Sequence, residues 1–452
     1  MGELILLLII FGALPLVLIR PHLGVLLWFW IGLMNPHRLV GGVSPGLRPA
    51  LIAGVVTLVA WAISREPKKL PLQTPTVVLG MFAVWVTVTT ITALRPDLAW
   101  DPWQEAMKMF FMTFVTMAMI NDRQRIVQLV WIVVISIGFW GVYGGIIAAS
   151  TAGTKQIYGP PSSAIEDNNA LALALVMVIP LMRFLQTVEK RRAVRLGLMA
   201  AMGLTTIAVL GTYSRGGLLA LSIVLPYLWL KLRGRDRLVT ILGAASVLVL
   251  ALTFAPEQWF ERMATISSYD QDASAIGRLN SWLFAYRLAA DHPITGGGFA
   301  IFNDDYLYLS YTPEADKSRN AHSIYFQVLG EHGYVGLGIF LVLLASTLLT
   351  ARSVMRRVRG HREINWAGEL SAMLQVSVIG YAVAGAFLNL AFYDLYYVLV
   401  ALAVVTRTYV VQNLAPKGSV AAASPAAQAA FAPRARIPIV YSPRRPQPGT
   451  SR

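Results

Sequence analysis

Residues 126–150 read I-V-Q-L-V-W-I-V-V-I-S-I-G-F-W-G-V-Y-G-G-I-I-A-A-S, twenty-five positions without a charge. A helix needs about 20 apolar residues to cross the hydrocarbon of a bilayer, so this stretch spans with a turn to spare. Outward from it, comparable runs occupy roughly 3–19, 22–34, 49–64, 74–93, 104–120, 169–186, 196–212, 216–232, 237–255, 322–350, 367–390 and 392–410. The run at 22–34 is short for a span, so the count is twelve or thirteen. Composition agrees: 56% of the chain is hydrophobic and only 13% charged, about half the roughly 25% charge of a soluble domain. The sequence therefore predicts an all-α polytopic integral membrane protein, with 12 or 13 transmembrane helices and one large helical loop on the outer face.

Net charge is +15, and its distribution argues for loop asymmetry rather than nucleic-acid binding. One set of alternate connections holds Arg20, Arg65 to Lys69, Arg123/Arg125, Arg183 to Arg195, Lys231 to Arg237 and Arg352 to Arg362, followed by the basic tail. Cations collect on the cytoplasmic side of membrane helices. That side, with the C-terminus, is predicted to be cytoplasmic. The organisation expected is helices over 1–255, a large periplasmic loop over 256–321, further helices over 322–410 and a disordered cytoplasmic tail over 411–452. The apolar start, Leu4 to Ile19, lacks a basic leader and a small-residue cleavage signature and reads as a retained helix. Cysteine is absent, which excludes disulfides, thiol nucleophiles and Cys-ligated metals.

The chain lacks G-x-x-x-x-G-K-[ST], so it carries no ATP-binding loop of that kind. Gly296-Gly297-Gly298 sits in an outer loop with no βαβ unit and is not a dinucleotide fingerprint. The acids Glu166/Asp167, Asp270/Asp272 and Asp304/Asp305 have no recognisable ligand spacing and read as solvated loop acids. No cofactor is expected.

Polar residues at outer helix ends remain. Thr212-Tyr213-Ser214-Arg215-Gly216-Gly217 separates two apolar runs with almost no loop, and the turn itself does not require an arginine. An arginine at membrane depth finds an anionic partner or snorkels to the headgroups; position alone leaves both open. Asn320-Ala321-His322-Ser323 opens the span after the large loop. An imidazole there can accept a proton at neutral pH, or be satisfied by loop carbonyls. Glu331 lies one or two turns inside, where a carboxylate pairs or stays protonated, orienting helices. Gly277-Arg278-Leu279-Asn280-Ser281-Trp282 opens a loop helix, predicted from apolar spacing over Ala275 to Ala290. His292 before Pro293 reads as a helix stop.

Taken in order, these clusters resemble the O-antigen ligase/polymerase superfamily across about residues 70–410. The matching pieces are S-R-G-G at Ser214 to Gly217, G-R-x-x-x-W at Gly277 to Trp282, H-P-x-x-G-x-G at His292 to Gly298, and A-H-S-x-Y-x-x-x-x-x-E-x-G-x-x-G from Ala321 to Gly336. The elements at Arg20 to Gly24 and Asn35 to Arg38 resemble ligases of exosortase-type gene neighbourhoods. The resemblance implies a bacterial inner-membrane enzyme moving glycan from an undecaprenyl-pyrophosphate donor to lipid A-core on the periplasmic side, without nucleotide or metal. It implies His322 as base, Arg215 and less surely Arg278 as pyrophosphate ligands, Ser214 and Asn320 at the substrate, and Glu331 and Trp282 in orienting roles. Polymerases and protein O-oligosaccharyltransferases share the scaffold. From a different class, a lipid-glycan flippase predicts broken helices with charges at the midplane; here the polar residues gather at helix ends.

Overall fold

The computed structural model describes residues 2–39, 48–231, 234 and 273–414. The expected span at 237–255, the start of the large loop with Trp259, Phe260, Asp270 and Asp272, and the tail beyond 414 lie outside the described residues. The chain divides into two units, Met1–Val410 and Val411–Arg452; the helical bundle and its candidate site belong to the first.

Among the described residues the structure is helical, without strands. The helices are α1 (Gly2–Ile19), α2 (His22–Met34), α3 (Pro36–Leu39), α4 (Pro49–Ile63), α5 (Thr74–Ile91), α6 (Pro96–Met119), α7 (Arg123–Ser150), α8 (Asn168–Val188), α9 (Arg192–Gly211), α10 (Arg215–Lys231), α11 (Ala273–Asp291), α12 (Asp305–Tyr311), α13 (Ile324–Arg357), α14 (Asn365–Ala384) and α15 (Asp394–Leu414). Among the described residues, eight helical stretches are long and apolar enough to cross a membrane, including α7, α8, α13 and α15, and three shorter apolar helices accompany them. The protein is a polytopic helical membrane protein.

Local chemistry sets the boundaries. Asp122, Asp167 and Ser323 accept from amides in the first turns of α7, α8 and α13, satisfying donors that a helix start leaves unpaired. Pro96 begins α6 eight residues before the expected 104; proline's missing N–H costs nothing in a first turn, so the polar segment 96–103 is helical although not apolar. The loop helix expected over Ala275 to Ala290 forms as α11.

Packing is tightest around α8, whose residues Leu171 to Val178 are fully buried. Small residues allow α7 to approach α9: a methyl at Gly145 would strike the Leu204 carbonyl, and one at Gly141 the Thr205 side chain. Between helices in lipid, such close backbone approach and interhelical hydrogen bonds drive association; Ser377 of α14 donates to the Met177 carbonyl of α8 at 2.7 Å.

The bundle has two ends. At one, Arg125 grips both oxygens of Glu66 at 2.7 and 2.9 Å. There too Gln73 donates to Thr408 at 2.6 Å, and Arg123 lies over the Trp366 ring. At the other, Ile157 donates to the Gly211 carbonyl, Asn168 to Thr212 and Leu94 to Gly297. The basic connections fall at the first end and the candidate residues at the second. Helix α2 starts at the first end, where His22 lies in the field of Arg125 and Glu66, and its last residue, Met34, accepts at 3.1 Å from Trp140 in the interior of α7. Its 13 residues rise about 20 Å, short of the roughly 30 Å of hydrocarbon.

Candidate active site

The turn Thr212 to Ser214 is as tight as its sequence suggests. Tyr213 adopts φ 58°, and Ser214 Oγ accepts from the Gly217 amide at 3.0 Å, capping α10. The same hydroxyl donates to Asn169 Oδ1 at 2.7 Å. Asn168 donates to the Thr212 carbonyl at 2.7 Å, and Gln156 reaches the same oxygen at 3.1 Å. The start of α8 thus clamps the turn and fixes where Arg215 leaves it.

Arg278 arrives from α11. On that helix Ser281 and Trp282 follow it at three- and four-residue spacing and share its face. Ser281 Oγ contacts the Arg319 carbonyl at 3.3 Å, and Trp282 Nε1 donates to the Ala321 carbonyl at 3.0 Å while its ring stacks on Phe326. The face presenting Arg278 therefore holds the strand of chain leading into His322. His322 precedes α13 rather than lying in it, at φ 46°. It sits between buried Ala321 and Ser323, which caps α13. Tyr325 ties that start to α14 through the Ala382 carbonyl at 2.8 Å, and Ile324 packs against Gly385.

These elements enclose a narrow cleft lined by Asn169, Tyr213, Ser214, Arg215, Gly216, Arg278, Phe387 and Leu388. Arg215 and Arg278, 63 positions apart in sequence, both line it. His322 lies beside it, close enough to Arg278 and Asp167 to feel both charges. Burial lowers the imidazole's pKa below its ordinary 6.5, Arg278 lowers it further, and Asp167 opposes them. The ring is accordingly neutral at neutral pH. Removing a neighbouring cation favours the protonated form, so Arg278→Gln should move the His322 titration upward, toward 6.5, in imidazole NMR. Asp167→Asn, which keeps the helix cap, should move it downward. An unmoved titration in both variants would place His322 outside the cleft's field.

Glu331 and Asn320 face elsewhere, onto a larger cavity. Glu331 Oε1 accepts from the Ala300 amide at 3.2 Å, and Gln327 lies 3.4 Å from Oε2 while accepting from the Ala391 amide at 3.0 Å. Two residues later the helix breaks. Gly333 takes φ 67°, ψ −172° inside α13, and the freed backbone is satisfied by the glycine loop. Gly297 donates to the Gly330 carbonyl, Gly298 to that of Glu331, and Tyr334 to that of Pro293, each at 2.9 Å. Irregular backbone within a span persists only where protein satisfies it. The H-P-x-x-G-x-G and E-x-G-x-x-G motifs are thus two halves of one joint. Next to Glu331, buried His332 bonds Thr89 at 2.7 Å and packs edge-on to Phe299.

The loop acids do more than sit in solvent. Asp304 is buried, accepts from the Leu307 amide at 2.9 Å and pairs with Arg95; these contacts, the amide foremost, hold its carboxyl below the usual range. Asp167 accepts from Asn169 and Ala170. Sequence reading missed Asn169, Phe387 and Leu388. Asn169 carried a faint signal, a second polar residue directly after a helix-capping aspartate. Phe387 and Leu388 sit inside an apolar run and carried none.

Helices and cleft together define a polytopic membrane protein whose polar site lies at its helix ends. Residues 200–341 match the family model described as O-Antigen ligase, which bears out the superfamily resemblance of the sequence motifs. That match begins before Arg215 and ends after Gly336. It is narrower than the 70–410 span of the resemblance. Residues 1–190 match a second model, described as a family of unknown function (DUF5935). No curated protein matches the chain.

Proposed function

We propose that the protein is an inverting glycosyltransferase of the bacterial inner membrane, acting at the periplasmic face. It moves O-antigen glycan from undecaprenyl pyrophosphate to lipid A-core. One observation carries this reading: two arginines from distant helices line a single cleft beside His322. Arginine's planar fork matches phosphate oxygens bidentately and stays charged at any relevant pH. In a water-poor cleft those contacts strengthen as negative charge gathers on the departing pyrophosphate. The acceptor hydroxyl oxygen attacks the anomeric carbon from the opposite side, the carbon–oxygen bond to pyrophosphate breaks, and His322 takes the hydroxyl proton. The donor bond supplies the driving force, so no nucleotide is consumed. The positive-inside rule favours a cytoplasmic basic end of the bundle, which supports a cleft on the periplasmic side. Ser214 acts through the turn it caps rather than through substrate, and Trp282 through the Ala321 carbonyl.

Arg215→Lys keeps the charge and loses the fork. Hydrogen bonds to charged groups contribute about 1.5–3 kcal/mol, so kcat/KM in a lipid-pyrophosphate transfer assay should fall about tenfold or more. Wild-type kcat/KM in a well-folded Arg215→Lys protein would remove the phosphate role.

A further inference from the structure

Two hollows of opposite character meet at consecutive residues. Leu388 lines the arginine cleft, and Asn389 lines a cavity of about 1170 Å³. That exceeds the roughly 300–1,000 Å³ of a small-molecule pocket, so the cavity suits a chain of several units. It opens among helix ends and connections at the same end of the bundle as the cleft.

Its lining carries more acidic than basic side chains. Asp101, Glu105 and Asp394 face it, and Glu331 lines it as a buried carboxyl that adds no charge. The cations on its wall are Lys108, bound to Glu105 at 2.7 Å, and Arg48, with His37 nearby. Amides accompany the acids: Asn303, Asn320, Gln327 and Asn389. The Asn389 Oδ1 is buried, with no hydrogen-bond partner among the described residues. Phe299, Phe392 and Trp28 supply flat apolar faces. Carboxylates and amide oxygens accept from hydroxyl and amine donors, and aromatic rings cover the apolar face of a sugar. Acyl chains fit poorly, since the carboxylates of Asp101, Glu105 and Asp394 would go unsolvated beside hydrocarbon.

We propose that this cavity is the subsite for the donor's sugar chain, and that it selects uncharged or amine-bearing sugars over sugars carrying carboxylate or phosphate. The proposal rests on the glycosyl-transfer reading. The diphosphate rests on Arg215 and Arg278 at the mouth of their narrow cleft, and the glycan continues past Leu388 and Asn389 into the larger cavity. Like charges juxtaposed in a site suppress the wrong partner, so the two hollows sort the donor by charge along its length.

The test uses the full-length protein in detergent and titration calorimetry with three tetrasaccharides, of glucosamine, N-acetylglucosamine and galacturonic acid. Inorganic pyrophosphate is titrated separately. The expected affinity order is glucosamine, then N-acetylglucosamine, then galacturonic acid. Asp101 is exposed, so Asp101→Asn leaves the fold intact and should weaken the glucosamine tetramer about fivefold, the size of one Coulomb contact in high dielectric. Asp394→Asn, checked for folding by thermal melting, should narrow the same gap. Equal or tighter binding of the galacturonic tetramer, or a glucosamine-to-galacturonate affinity gap unchanged in both variants, overturns the proposal. Pyrophosphate binding that Arg215→Ala abolishes, together with no tetramer binding, sinks the cavity assignment alone. Tetramers binding in the stated order with no pyrophosphate binding at all sinks the transfer reading alone.

Discussion

Replacing His322 by alanine is expected to lower turnover about 10²–10⁴-fold, the usual contribution of a positioned general base, with donor affinity close to wild type. The residue precedes α13 and supports no helix hydrogen bond, so its removal spares the frame: Ser323 still caps, and Trp282 still holds the Ala321 carbonyl. The pH profile makes the test specific. Burial, Arg278 and Arg319 lower the imidazole pKa below 6.5, against Asp167. Protonated His322 cannot accept a proton, so wild-type kcat/KM should fall as pH drops through a value below 6.5 and stay level above it. An acid limb that survives in His322→Ala would assign the base elsewhere.

The second large effect concerns the break in α13. Gly333→Ala should destabilise the protein by at least about 1–3 kcal/mol, the cost of one residue held in a glycine-only conformation. An added methyl would also strike the Ile294 carbonyl. The damage reaches the site, because the same joint docks the glycine loop and holds Glu331 against the Ala300 amide. Thermal unfolding in detergent should show a lower midpoint and a larger fraction of aggregated protein. A midpoint equal to wild type would show that the break is not fixed by this glycine. Gly336, three residues on, makes a useful comparison: its φ is unexceptional, yet a methyl there would press on Trp85 and His332.

Much of the bundle was legible because hydropathy reports a single physical requirement, the burial of backbone in helices surrounded by lipid. Residues 126–150 could be read as nothing else. The polar start of α6 was not legible: Asp97, Asp101 and Glu105 suppress hydropathy, and only Pro96 and Asp97 hint at a helix start. The site divides the same way. Arg215 stood out as a residue that its turn does not require, while Ser214, Arg278 and His322 were marked by the motifs of the family resemblance. Their convergence depends on packing that no spacing encodes, with α8 clamping the 212–214 turn and α11 holding residues 319–321. Phe387 and Leu388 reach the cleft because α14 ends at Ala384, with the following Gly385 packed against Ile324. The glycine motifs were visible as motifs, but their union into one joint appears only where Gly297 and Gly298 meet the carbonyls of Gly330 and Glu331.

Joint action of Arg215, Arg278 and His322 on one lipid-pyrophosphate bond is tested most directly by product analysis. Vesicles containing the full-length protein, undecaprenyl-pyrophosphate glycan and lipid A-core, without nucleotide, are analysed by mass spectrometry. The expected products are glycan joined to lipid A-core and free undecaprenyl pyrophosphate, both falling about a hundredfold or more with His322→Ala. Donor recovered intact but moved to the other leaflet, with no new glycosidic bond, would contradict it.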